Sequence, residues 1–212
     1  MKFLEHASVA MVIFFVLTAS FSSTLLAQNS QTTQSQTLAL STLPIASGSF
    51  VQRKYFKVLK HPIKSQGELY FDVSVGLLWQ TNKPLYSALL LKKNGLFTEK
   101  SSGESQELKG ASVVSQVLLS IMSGDSDKIL ENFNVNDSDV EHCLNLSPTL
   151  SQLAKIIKTV QLCHLDIQSH SPENLKAINH IVLHEHTGNR TEIDVQLTPI
   201  KILPEAVRAR LQ

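Results

Sequence analysis

Residues 48 to 84 constrain the fold more than any other stretch of the chain. They run Gly48-Ser49-Phe50-Val51-Gln52-Arg53-Lys54, then Gly67-Glu68-Leu69-Tyr70-Phe71, then Gly76-Leu77-Leu78-Trp79-Gln80-Thr81-Asn82-Lys83-Pro84. Apolar and polar residues alternate in them. A strand sends successive side chains to opposite faces, so alternation marks strands with one dry face. A chain that opens this way is committed to a sheet whose dry side must be covered.

The rest of the chain extends that pattern. Residues 49 to 59 and 66 to 73 read as two strands joined around His61-Pro62. Residues 76 to 82 and 86 to 91 follow, broken at Pro84, and Asn94-Gly95 is a turn signal before a short strand at Leu96-Phe97-Thr98. Residues 99 to 110, rich in Ser, Glu, Lys and Gly, read as a surface loop. Val113, Val114, Val117, Leu118, Ile121 and Met122 then recur at helical spacing. Gly124 ends that helix, Asp125 or Ser126 caps the next, and Ile129, Leu130 and Phe133 continue its apolar face. Strand character returns at 139 to 146, 156 to 167, 177 to 186 and 190 to 198, with Gly188-Asn189 as the last turn. The expected fold is α+β: an antiparallel sheet with a helical insert on one side. With 212 residues there is material for one sizeable core, and no internal repeat suggests a second domain.

The N-terminus carries a destination signal. Lys2 precedes an apolar run from Val9 to Leu17, shorter than the ~20 residues that span a bilayer. Polar Ser20 to Thr24 and then Leu25-Leu26-Ala27-Gln28 follow. This reads as a secretory signal over residues 1 to 27, with a retained N-terminal anchor as the alternative. Residues 28 to 46 read as a polar leader and a short apolar turn or helix at Leu38, Leu40, Leu43 and Ile45, and residues 47 to 212 as the working domain. No cysteine lies near the cut, so lipid attachment there is excluded. The net charge of +1 provides no global field for nucleic acid.

On residues 67 to 73 Leu69, Phe71 and Val73 share one face, and Leu77 and Trp79 share one on the next strand. Leu118, Ile121 and Met122 of the helical insert are the natural cover. Such a face is either an ordinary core filled by its own side chains or a lining for an acyl chain. The low aromatic content of 6% and the flexible leucines suit the second. Each methylene taken out of water contributes about 0.8 kcal/mol, so a lipid needs a shield to cross an aqueous space.

In order and spacing these segments resemble the periplasmic lipoprotein carrier family, LolA. The resemblance covers residues 47 to 198: Gly48-x-Phe50-x-Gln52, Gly67 leading an apolar strand, Trp79 followed by Pro84, the Ser123-Gly124-Asp125 junction, and the closing hairpin Gly188-Asn189-Arg190-Thr191-Glu192-Ile193. It implies an unclosed antiparallel β-barrel covered by a helical lid, and a soluble, monomeric periplasmic carrier rather than an enzyme. Its partners would be an acylated cargo, lipoprotein or lipid, an inner-membrane transporter that releases it and an outer-membrane acceptor. The implied lipid-binding face is Leu69, Phe71, Val73, Leu77 and Trp79, with Leu89 and Leu91, under a lid of Leu118, Ile121 and Met122. Val73 stands where the family's carriers place a lid-latching arginine, which suits a lid held by apolar contact. A sensor of the same fold that binds a membrane regulator, a carrier of a glycolipid or polyketide-like intermediate, and an enzyme acting on a lipid are the other readings.

Other candidates are weaker. If residues 139 to 146 and 156 to 167 pair antiparallel, a register that joins Cys143 to Cys163 also joins His142 to His164. In an oxidising compartment this allows a disulfide, and two free buried thiols are the alternative. Zinc is disfavoured there because adjacent strand residues point to opposite faces. His180, His184 and His186 share parity and read as a solvated face, so no metal or cofactor is expected. Arg53, Lys54, Lys57, Lys60 and Lys64 make the first hairpin basic. They are either a wet face or a docking surface for an acidic partner or anionic headgroups. No Gly-x-Ser-x-Gly, phosphate-binding loop or Cys-x-x-Cys is present.

Overall fold

The computed structural model describes residues 43–108, 112–167 and 175–212; the expected signal segment and polar leader, including Leu38 and Leu40, lie outside them. The elements in chain order are β1 (Ile45–Tyr55), β2 (Ile63–Asp72), β3 (Gly76–Lys83), β4 (Ser87–Lys92), β5 (Gly95–Glu99), β6 (Ser105–Glu107), α1 (Ser112–Ser123), α2 (Ser126–Asn132), β7 (Phe133–Asp137), β8 (Cys143–Pro148), α3 (Ser151–Ala154), β9 (Ile157–Ile167), β10 (Leu175–Glu185), β11 (Arg190–Pro199) and α4 (Glu205–Leu211). The strands form a single 11-stranded antiparallel sheet in the order β6-β5-β4-β3-β2-β1-β11-β10-β9-β8-β7. It is not closed into a barrel. Two meanders, β1–β6 and β7–β11, meet where β1 pairs with β11. The free edges are β6 and β7, and the α1–α2 segment is the chain that joins them.

Close strand approach explains two of the glycines. A Cβ on Gly48 would lie within 3 Å of the Gln196 carbonyl of β11, and one on Gly67 would meet the Gln80 carbonyl of β3 as closely. Gly67 also sits at a register shift between β2 and β3, the local irregularity that bends a strand. Opposite Gly67 on β1 stands Phe50, whose ring packs on Trp79 with centroids 4.3 Å apart.

The core has two parts. The larger lies on the concave face and gathers Phe50, Leu69, Phe71, Leu77 and Leu91 with Ile121, Met122, Ile129, Leu146, Leu162, Ile181 and Val195. The smaller lies on the other face, where α4 lays Val207 and Leu211 over Leu78, Ala88 and Leu90. Arg210 ties α4 down, donating to Gln80 Oε1 at 2.7 Å, to Glu99 Oε1 at 2.8 Å and to the Tyr86 hydroxyl at 3.1 Å.

Several expectations need correction. Helical cover lies on both faces, not one, because Leu78 and Leu90 are as buried as their concave neighbours. The stretch from 99 to 110 contains β6, which pairs with β5 through its backbone and has no apolar pattern to announce it. Residues 139 to 142 form a turn rather than strand, with Val140 exposed, and Phe133 opens β7 instead of extending a helical face. Leu130 points to solvent. Leu43 is buried and Ile45 begins β1, where a turn or helix was expected.

A polar latch crosses the β1–β11–β10 seam on the outer face. Asp194 accepts from Arg53 Nη1 at 2.5 Å and lies 2.7 Å from His180 Nδ1. The Arg53 hydrogen bond, aided by His180, holds the Asp194 carboxyl below its usual range against partial desolvation. A depressed folded pKa gives stability that is present above the unfolded value, about 3.9, and lost as pH falls through the folded one. Asp194→Asn is therefore expected to lower the urea midpoint at neutral pH, with the difference from wild type narrowing and closing below about pH 4. A gap that persists in acid would locate the stabilisation elsewhere. Gly67→Ala is expected to destabilise by about 1–3 kcal/mol through forced strand displacement; an unchanged melting temperature would refute the close approach to β3.

Candidate functional site

Cross-strand register gathers the nominated face into two rows. Phe71, Leu77, Leu91 and Leu96 stand side by side across β2, β3, β4 and β5, and Leu69, Trp79 and Leu89 form the row below. Leu69 and Phe71 are 0% exposed, Leu77 and Leu91 are buried, and Trp79 and Leu89 pack on them from partly open positions. From α1, Ile121 and Met122 enter the same core and Leu118 packs against it from a half-buried position. Thus all these residues come together, and they fill the space between sheet and lid themselves.

Val73 differs. It is the first residue beyond β2, 41% exposed, with its backbone N–H donating to the Pro44 carbonyl at 3.0 Å. It lies at the margin rather than within the dry face, because the strand has ended and the alternation with it. Two adjoining clefts open there. One, of about 310 Å³, is lined by Val73, Val75, Leu91 and Leu119 together with Lys92 and Lys93. The other, of about 410 Å³, lies between Leu43, Pro44, Val73 and the α1–α2 junction at Leu119, Ser120 and Ser123. Val73 and Leu119 line both. Leu119 was missed in sequence because helical spacing marks the most buried stripe, and Leu119 lies beside that stripe.

The α1–α2 junction is built for a sharp reversal. Gly124 takes φ 65°, a left-handed conformation that ends α1. The Asp125 side chain accepts from the Lys128 backbone N–H, capping α2, and its carboxylate pairs with Lys128 Nζ at 2.8 Å. Those two Lys128 contacts, the side-chain one first, hold the Asp125 carboxyl below its usual range. Buried Ser120 is satisfied within α1, its hydroxyl donating to the Val117 carbonyl at 2.8 Å. Among its described side chains α1 meets the sheet through Val117, Leu118, Ile121 and Met122, and its sequence holds no charged residue.

The dry face also extends beyond the nominated residues. Ile193 faces Ile181, which faces Leu162; Thr191 faces Leu183, which faces Val160 and then Leu146. The alternation in residues 156 to 167 and 190 to 198 carried that signal. At the far side Cys143 and Cys163 are bonded in a disulfide between β8 and β9, and the His142 and His164 rings lie 5.6 Å apart. Burial, more than Lys176 or His142, pushes the His164 pKa down. Among the described residues no cluster of three His, Cys, Asp or Glu side chains could hold a metal ion.

If the lid is a separable unit, Met122→Ala, which removes a fully buried side chain at a cost of about 2–5 kcal/mol, is expected to speed amide exchange in α1 more than in β2 and β3. Equal acceleration throughout the sheet would mean that lid and sheet open only together.

No family model matches the chain, and no curated protein matches it. Solved structures do. A DUF1329 family protein from Desulfovibrio piger aligns over 84% of this chain and 95% of its own length, with a TM-score of 0.51 and 10% identity. A LolA superfamily protein from Nitrosomonas europaea aligns over 81% of this chain and 94% of its own, with a TM-score of 0.47 and 10% identity. At such identity a likeness speaks for the fold alone. In its fold, the chain is an open antiparallel half-barrel with helical cover, and the likeness to the Desulfovibrio piger protein bears on that fold alone.

Proposed function

We propose that the protein is a periplasmic carrier that shields the acyl chains of a lipoprotein or lipid in transit from the inner toward the outer membrane. One observation carries this reading: a continuous dry face is covered by a helical segment attached to its sheet by apolar contacts, with clefts already open where the two meet. In this closed arrangement the lid fills the place that cargo would take. Lifting α1 exposes Phe71, Leu77 and Leu91, and an acyl chain that replaces Ile121 and Met122 restores the burial that opening removes. The exchange is apolar for apolar, so closed and loaded states differ by little, as a carrier that must also release its cargo requires. The work is binding and release, without turnover. An inner-membrane releasing transporter and an outer-membrane acceptor are the partners this role calls for.

Phe71 is too deeply buried to serve as a clean probe, since a charge there would test folding. Leu119 and Val73, at the cleft margin, are better. The secreted chain, purified from the periplasm and examined by native and denaturing mass spectrometry, is expected to carry an acylated molecule. Leu119→Asp with Val73→Asp is expected to reduce its occupancy about tenfold or more, since two apolar contacts of this size each contribute about 1 kcal/mol or more. A protein that is free of acylated cargo and takes none up from mixed lipid would overturn the carrier reading.

A further inference from the structure

Five of the eleven exposed large apolar residues among the described ones, including the two most exposed, Val58 and Leu85, lie at one end of the sheet; the others, such as Ile202, Leu165 and Val140, lie apart from it. Strand register places the β1–β2 turn (56–62), the β3–β4 turn (84–86), the β10–β11 turn (186–189) and the start of β9 on the same rim: Gln66 faces Lys83, Tyr55 faces Arg190, Glu185 faces Ile157, and the His186 N–H donates to the Ile156 carbonyl. On that rim Val58 is 88% exposed, Leu85 80% and Ile156 63%, with Leu59 and Ile63 about half exposed. Isolated exposed leucines need no explanation, but a ring of them on separate loop tips does.

The same rim is basic. Lys57, Lys60 and Lys64 flank Val58, Leu59 and Ile63; Lys83 precedes Leu85; Lys155 and Lys158 flank Ile156. All are exposed, and none forms an ion pair among the described residues. The nearby carboxylates are largely engaged: Glu185 with Lys54 at 3.0 Å, Glu192 with Arg190 at 2.9 Å and Glu104 with Lys100 at 3.2 Å. Glu131, exposed at the end of α2, lies beside Thr149, on the connection that leads to Lys155 and Ile156, and brings one carboxylate to that part of the rim. No acidic residue occurs between Arg53 and Gly67.

We infer that this rim docks on an anionic bilayer surface, with Val58, Leu59, Leu85 and Ile156 entering the interface and the lysines on the headgroups. Apolar tips interleaved with lysines match the layering of an interface, where charge sits outside and hydrocarbon beneath. An acidic protein would complement the lysines but would leave the splayed apolar tips, on loops from different parts of the chain, without a common pocket. The clefts beside Val73 lie at the opposite ends of β2, β3 and β4, so docking leaves them in solvent. The inference does not depend on the identity of any cargo, and its test needs none.

The test is flotation of the purified full chain with vesicles of phosphatidylethanolamine and phosphatidylglycerol, and with vesicles of phosphatidylcholine alone. Binding to the first, weakened by salt and much poorer to the second, is expected. Each lysine near an anionic surface contributes about fivefold, so Lys57→Gln, Lys60→Gln and Lys64→Gln together are expected to weaken binding by roughly 100-fold. Val58→Ser with Leu59→Ser, at one position almost fully in water and one half exposed, is expected to weaken it by about tenfold or more while leaving the melting temperature within a few degrees of the parent's. Failure of the parent chain to float, or equal flotation of parent and both variants, would overturn the inference. So would a lysine effect with no effect of Val58→Ser and Leu59→Ser, which would point to an acidic protein partner. Cargo found by mass spectrometry in a chain that does not float would leave the carrier reading standing and remove this one.

Discussion

The burial of one curved apolar face is the constraint on which the rest of this structure depends. An antiparallel sheet can leave its outer side wet, but a concave side lined by Leu69, Phe71, Leu77, Leu162 and Ile181 cannot face water. Closing the sheet into a barrel would solve this by pairing β6 with β7. The chain instead leaves those edges apart and spans them with α1 and α2. A helix pair can satisfy its own backbone hydrogen bonds while presenting Ile121, Met122 and Ile129 inward. That is why the cover can be separate from the sheet, and separability is what a binding role needs.

The outer face shows the complementary arrangement. There α4 is fixed by both apolar packing and the Arg210 network to Gln80, Glu99 and Tyr86. Among its described residues the inner lid is held by apolar packing, with hydrogen bonds from Thr149 to the Glu131 and Asn132 carbonyls at the end of α2. Charge-assisted hydrogen bonds require particular geometry, whereas apolar contact can be exchanged for another apolar group. The two helical covers on the two faces of a single sheet thus differ in kind: α4 is fixed by a charged side-chain network, while the described part of α1 packs through apolar side chains.

Much of the fold was legible because its signals are local. Alternation in residues 67 to 73 and 76 to 82, the Asn94-Gly95 and Gly188-Asn189 turns, and the helical period from Val113 to Met122 each depend on residues close in sequence. The facing of Cys143 and Cys163 followed from strand pairing alone. What stayed hidden was set by distant contacts. Leu78 and Leu90 read as outward residues until α4 is known to cover them, and α4 owes its place to partners more than a hundred residues away. Strand β6 is held by backbone bonding to β5 and bears no pattern of its own. Val73 kept the parity of a lining residue, but the strand ended one position earlier.

The order of strands has a mechanical consequence. Each meander is held by pairing between sequence neighbours, and among the described strands only β1–β11 pairs one with the other. That seam is a spine, with Arg53 and Asp194 as a clasp across it. The α1–α2 segment is strung between the two outermost strands like a cord across a bow. The two limbs therefore cannot spread without drawing on that cord, and the cord cannot slacken while its apolar grip on the limbs holds.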